Sequence, residues 1–258
     1  MSENERNSSP ARLRVVSLVP SLTETLLAWG IVPVAVSRFC AVDDRLAIPR
    51  VGGTKDPNIQ KIVQLDPDLV LLCKEENRLE DANALVEAGV DIHVTEVHSL
   101  GDVIPNLKAL AERLGVSSWE QERSKLDEAV EMLSTTEVLR KKYRAFVPIW
   151  RRPWMTLNNN TYGSSVLAAL GVVNTFGNSS EPYPVVDLDQ ARDTHPDLVI
   201  APSEPYPFSS KHLTELDKVA PVLFVDGKDL FWWGSRTASA LMRLAKSLSN
   251  YNHGQHQG

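Results

Sequence analysis

Basic residues are in the minority in this chain. Twenty-seven lysines and arginines stand against 33 aspartates and glutamates, for a net charge of −6. That sign, with no basic stripe carrying interleaved aromatics, argues against a nucleic-acid partner. Long apolar runs are also missing, and no stretch nears the roughly 18 apolar residues that a membrane span needs. Residues 1–10 are polar and charged, without the apolar core of an export leader, and no such core precedes the first cysteine, Cys40. As written, the sequence is expected to be cytoplasmic, or extracytoplasmic if a leader was removed. Cysteine is scarce: Cys40 and Cys73 form no CxxC unit and read as reduced thiols. There is no HExxH, GxSxG, Walker loop or GxGxxG, and His93, His98, His195 and His212 lack ligand spacing. No catalytic residue, catalytic cofactor or metal centre is therefore assigned, and the chain is read as a non-enzyme. What remains is an ordinary globular composition, 43% apolar and 23% charged.

What is present is a repeat. Residues 14–18 (RVVSL) read as a buried strand followed by a helix in SLTETLLAWG, with Ser21 and Glu24 at capping-box spacing and Gly30 as its stop. The run 144–150 (RAFVPIW) leads in the same way to YGSSVLAALG, ending at Gly171. NIQKIVQL at 58–65 precedes DPDLVLL, and VDLDQARD at 186–193 precedes THPDLVIA. The two Pro-Asp-Leu-Val segments lie 129 positions apart. In each a proline closes a helical stretch and an unbroken apolar strand follows. Further strands are read at 88–97 and 219–227, followed by helices at 103–114 and 236–248. Continuous apolar strands alternating with helices suit mostly parallel sheets covered on both faces. The expectation is two α/β lobes, 13–115 and 144–250, joined by a helical connection over 116–143.

Within that connection, Ser118 and Gln121 have capping spacing, and Leu126, Ala129, Val130, Leu133 and Leu139 recur at helical intervals. Residues 118–143 as one helix would be about 39 Å long. A second box at Ser134 and Glu137 leaves open two helices meeting at a bend.

Ligands of parallel α/β sheets bind beyond the carboxyl ends of the strands, and unusual side chains gather there. The first group is Trp150, Arg151, Arg152 and Trp154; the second is Glu204, Tyr206 and Phe208; the third is Trp232, Trp233 and Arg236. Tryptophan offers a broad rigid surface with one N–H donor. The arginines offer forked donors to carboxylates, phosphate or amide oxygens, and Gly234-Ser235 offers backbone N–H groups at a helix start. The alternative for each aromatic is packing within a lobe. In the first half Arg38 and Phe39 are weaker candidates. Cys40 touches a metal or fills the core as a small hydrophobe, and Glu75 and Glu76 cap a helix or meet the ligand.

RVVSLVPSLTETLLAWG, VGGTKDPNIQKIVQLDPDLVLL and DGKDLFWWGSRTASALMRLAKSL resemble the substrate-binding proteins of vitamin B12, haem and iron-siderophore uptake. These are two-lobed proteins with a helical backbone, the periplasmic-binding-protein fold of class III. The likeness covers about residues 13–250 and is greatest to the cobalamin-binding branch. It implies a bulky ligand, cobalamin or another corrinoid, bound between the lobes of a monomer and delivered to an ABC permease. Haem or a ferric siderophore is the alternative cargo, and a cytosolic sensor, scaffold or small-anion enzyme the alternative role. The resemblance also implies one docking glutamate per lobe, but Gln60 and Trp232 stand at those positions.

Overall fold

A computed structural model describes residues 13–135 and 142–255, with side chains as far as Tyr251. The chain divides into two compact units, one through Thr95 and the other from Glu96. Among the described residues no helix is long and apolar enough to cross a membrane.

The first unit holds strands β1 (Val15–Ser17), β2 (Ala35–Val36), β3 (Leu69–Cys73) and β4 (Ile92–Thr95) in the order β2-β1-β3-β4, all parallel. Helices α1 (Pro20–Ala28), α2 (Ile59–Gln64) and α3 (Leu79–Glu87) connect them. Every residue of β3 is buried, which is why it reads as an uninterrupted apolar run. Val16, Val70, Leu72, Ile62 and Leu85 form one core.

The second unit opens with α4 (Leu100–Leu114) and α5 (Trp119–Ser134), which pack on each other. Strand β5 (Tyr143–Phe146) follows, then β6 (Trp154–Met155), helix α6 (Tyr162–Ala169), β7 (Val172–Asn174) and β8 (Val185–Val186). The chain ends through α7 (Leu188–Asp193), β9 (Leu198–Pro202), α8 (Leu213–Leu216), β10 (Val222–Val225), α9 (Gly227–Phe231) and α10 (Thr237–Gln255). The main sheet runs β10-β9-β5-β7, all parallel. Read from its other edge, it has the strand order of the first unit.

The repeat extends to individual hydrogen bonds. Asp66 and His195 both take positive φ, 47° and 50°. The proline after each disfavours the right-handed helical conformation, so each helix stops there. Two residues on, Asp68 Oδ2 accepts from Arg14 N at 2.6 Å, and Asp197 Oδ2 accepts from Arg144 N at 2.7 Å. Each arginine also caps the preceding helix, Arg14 donating to Leu65 O and Arg144 to Thr194 O. Gly30 and Gly171 close α1 and α6 with φ of 72° and 74°.

Four local expectations change. Pro20 occupies the first turn of α1, so the helix begins before Ser21, and its N-cap, Val19, makes no side-chain bond. Ser21 and Glu24 are thus not a capping box. Ser118 does precede α5, but without a side-chain cap. Helix α4 starts three residues earlier than expected, with Ser99 N donating to Asp102 at 2.8 Å. Helix α5 buries Leu126, Ala129 and Leu133 as expected, but Val130 is exposed. Leu139 and Glu137 lie outside the described residues, and with them the second capping box and the far end of the expected rod.

Candidate functional site

The chain leaving β5 forms a hairpin that the sequence did not show. Ile149 N donates to Met155 O at 2.9 Å and Met155 N to Trp150 O at 3.1 Å. Arg152 sits at the turn with φ of 71°, and β6 then pairs antiparallel with β8. Around this hairpin five rings collect. Trp154 stacks on Phe208 with centroids 5.9 Å apart and planes 6° apart. Trp150, 43% exposed, meets the edge of Tyr206 at 5.6 Å. Tyr206 and Phe208 lie 4.7 Å apart, and His212 is 5.5 Å from both.

His212 is spoken for: Nδ1 accepts from Ser209 N at 3.2 Å, and Nε2 faces Tyr206 Oη at 3.4 Å. Among the described residues no group of three His, Cys, Asp or Glu side chains could hold a metal. Arg151 donates Nε and Nη2 to Glu215 at 2.9 and 3.2 Å. Tyr206 and then Glu215 raise its pKa above the ordinary arginine value. Arg152 is exposed and makes no hydrogen bond or ion pair among the described residues.

A second patch follows β10, separated from it by α9 rather than directly after the strand. Asp226 caps that helix by accepting from Lys228 N at 2.9 Å. Beyond Phe231 the backbone becomes extended at Trp232, which sends the two adjacent tryptophans different ways. Trp233 is buried at 4% exposure, whereas Trp232 remains half-buried. Lys228 Nζ lies 4.9 Å and Arg236 Cζ 5.6 Å from the Trp232 ring. Asp229, 3% exposed, accepts from Arg243 at 2.6 and 2.7 Å and lies 3.4 Å from Arg236. The Gly234 N–H donates to Thr237 Oγ1 at 3.0 Å, so it is not available to an anionic ligand edge as the sequence suggested.

Glu204 adjoins this patch. A Cβ at Gly227 would lie 2.3 Å from Glu204 N, so only glycine lets the loop after β9 press this closely on α9. Burial raises the Glu204 carboxyl above its ordinary 4.5, while Lys228 and a hydrogen bond from Trp232 pull it down. A raised folded pKa means that the folded state holds the proton more tightly than the unfolded chain. Its stabilising contribution is therefore present below the unfolded pKa and is lost as pH rises through the folded value. Glu204→Gln should accordingly raise Tm relative to the parent at pH 7 and lose that advantage near pH 4. Scanning calorimetry at both pH values checks this, and an equal offset at both would count against it.

In the first unit Arg38 donates to both oxygens of Asp56 at 2.8 and 2.9 Å, and its Cζ lies 5.1 Å from the ring of Phe39, which is 56% exposed. Cys40 is buried beside Val36 and Ile48, accepting from Thr23 Oγ1 at 3.1 Å, and burial pushes its pKa up. That placement suits the small-hydrophobe reading. Burial likewise pushes the Cys73 thiol up to about 11. Glu75 and Glu76 occupy the turn after β3 and do not cap α3, which starts at Leu79 behind Arg78. Asn77 holds that turn instead, accepting from Cys73 N and donating to Thr54 O, both at 2.8 Å. Gln60 is exposed on α2.

Residues 15–225 match the sequence pattern of the periplasmic binding proteins. The chain belongs to the periplasmic binding protein family. It is 27% identical over 195 residues to the vitamin B12-binding protein of Salmonella choleraesuis (strain SC-B67), covering 72% of this chain and 71% of that one. It is 28% identical over 207 residues to the vitamin B12-binding protein of Vibrio cholerae, covering 77% and 71%. Its structure resembles the periplasmic vitamin B12 binding protein of Vibrio cholerae, with TM-score 0.77, 23% identity and coverage of 92% and 96%. It resembles the periplasmic heme-binding protein RhuT of Roseiflexus sp. RS-1 with TM-score 0.77, 18% identity and coverage of 92% and 98%. The expected family and its α/β fold are thus confirmed.

In this periplasmic binding protein the structure joins Trp150 to Tyr206, Arg151 to Trp154, and Glu204 to Trp232 and Arg236. It withdraws Trp233 into the interior. The carboxylates Asp56, Glu215 and Asp229 were not foreseen. Glu215 lies 64 residues from Arg151, and no local spacing signals such a pair.

Proposed function

We propose that this periplasmic binding protein is a receptor, not a catalyst, for a bulky and broadly flat metal chelate, a corrinoid before a haem or a ferric siderophore. The observation that carries this reading is the pair of aromatic surfaces beyond the second unit's strands. Trp150 stands exposed beside Tyr206, and Trp232 lies flanked by Lys228 and Arg236. Broad rings with few polar groups bind large partly apolar ligands, and directed donors fix their orientation. The B12-binding relatives favour a corrinoid among the chelates. Solved relatives described as periplasmic favour the extracytoplasmic of the two locations. Delivery to an ABC permease fits the family, with docking contacts other than glutamates at Gln60 and Trp232.

The test is co-elution. The protein is mixed with cyanocobalamin, dicyanocobinamide, haem or ferric siderophores and passed over a gel-filtration column read at each ligand's visible band. Near-stoichiometric corrinoid colour under the protein peak is expected. A colourless protein peak with every ligand would overturn the reading.

A further inference from the structure

Three of the four candidate arginines, Arg38, Arg151 and Arg236, come with carboxylates already attached. In the second unit Arg151 is forked onto Glu215, and Arg236 and Arg243 converge on buried Asp229. Lys228 and Glu204 lie in each other's field, and Asp226 also acts on Glu204. Around the two aromatic surfaces, five cations (Arg151, Arg152, Lys228, Arg236, Arg243) therefore accompany four carboxylates (Glu204, Glu215, Asp226, Asp229). The first unit pairs Arg38 in a similar way, its Nη2 donating to both carboxylate oxygens of Asp56. Of the candidate arginines, Arg152 is the one that makes no ion pair or hydrogen bond among the described residues.

We infer that the second unit's wall is built for a chelate of little net negative charge, rimmed by neutral carbonyl or amide groups, and that it discriminates against polyanionic chelates. This rests on the chelate-receptor reading and narrows it. A ligand carboxylate approaching Arg151 competes with Glu215 for the same donors and meets like charge. There it loses its hydration without gaining an unshared cation, and Arg152 beside it, unpaired among the described residues, is exposed and screened by water. A guanidinium has five N–H donors; at Arg151 the forked Glu215 uses two and Tyr206 engages another. Neutral oxygens suit the remainder, because they gain a charge-assisted bond at a small desolvation cost. The overall charge of −6 adds no long-range attraction for an anion.

The experiment is calorimetric titration of the full chain with cyanocobalamin, which is neutral overall, with dianionic haem and with a trianionic ferric tris-catecholate, at low and high salt. Cyanocobalamin should bind at least ~10-fold tighter than either anion, the scale of one charge-assisted contact, with weak salt dependence. Glu215→Gln should raise the haem-to-cyanocobalamin affinity ratio roughly tenfold by unmasking Arg151. Glu204→Gln should shift the ratio the same way and serves if the first variant folds poorly. Tighter binding of an anion, weakened steeply by salt, or an unchanged ratio in both variants, would overturn the inference while leaving a chelate receptor standing. Silence with all three ligands would instead remove the receptor reading, and this inference with it.

Discussion

Asp229→Ala should lower Tm by roughly 6–12 °C, the largest loss expected from any single charged residue in the second unit. Its carboxylate is 3% exposed and receives three short approaches, two from Arg243 and one from Arg236. Removing one partner of a buried ion pair costs about 3–5 kcal/mol, because the remaining charge stays desolvated. Arg243 is half exposed and regains water, so the lower end of that range applies. For 150–250 residues each kcal/mol moves Tm by about 2–4 °C. Asp229→Asn keeps an acceptor and should lose less. The double variant Asp229→Ala, Arg243→Ala should lose less than the two single losses added together, because it removes one stranded charge. Melting curves of the parent, Asp229→Ala, Asp229→Asn, Arg243→Ala and the double variant decide it. A fall under a degree in Asp229→Ala would mean that the α9–α10 junction is held by packing alone.

Neighbouring tryptophans should behave oppositely. Trp232→Ala should weaken corrinoid binding by roughly 30-fold or more, the cost of losing a central aromatic contact of about 2 kcal/mol. Its Tm should fall only a little, because cation–ring contacts at a part-exposed site contribute about 0.5–1 kcal/mol each. Trp233→Ala should cost about 3–5 kcal/mol of stability, as an emptied core position does. Any affinity it loses should follow its loss of folded protein. Paired titration and melting of both variants test this. Equal affinity loss at matched temperatures below both transitions would mean that the two indoles play the same part, against their different burial.

That divergence marks where the sequence stops being legible. The repeat was readable because its signals are local. Pro67 and Pro196 end helices, and Asp68 and Asp197 bond backbone groups that adjoin them in the sheets. Apolar runs such as Leu69–Cys73 are buried on both faces and show no alternation to misread. The candidate aromatics were visible for the same reason, since they follow strands. What one wall does with them was not visible. Trp232 and Trp233 separate because the backbone extends at the end of a five-residue helix, and no periodicity announces that. The Trp150–Met155 hairpin rests on one isolated bridge into the two-residue β6, too short for a pattern. The partners of Arg38 and Arg151 are set by tertiary approach, across 18 and 64 residues. Sequence reading therefore supplied cations but not the carboxylates that quiet them. Even the failed capping box at Ser21 has a local cause, since Pro20 is pre-shaped for a first helical turn and starts the helix ahead of it.

The most direct measurement is calorimetric titration of the full chain with cyanocobalamin at two or more temperatures. Burying a broad ligand against Trp150 and Trp232 predicts saturable binding of one ligand per chain, with a heat that becomes more exothermic on warming, the negative heat-capacity change of apolar burial. Absence of heat at tens of micromolar protein across that temperature range, repeated with cobinamide, haem and ferric siderophores, would contradict the account.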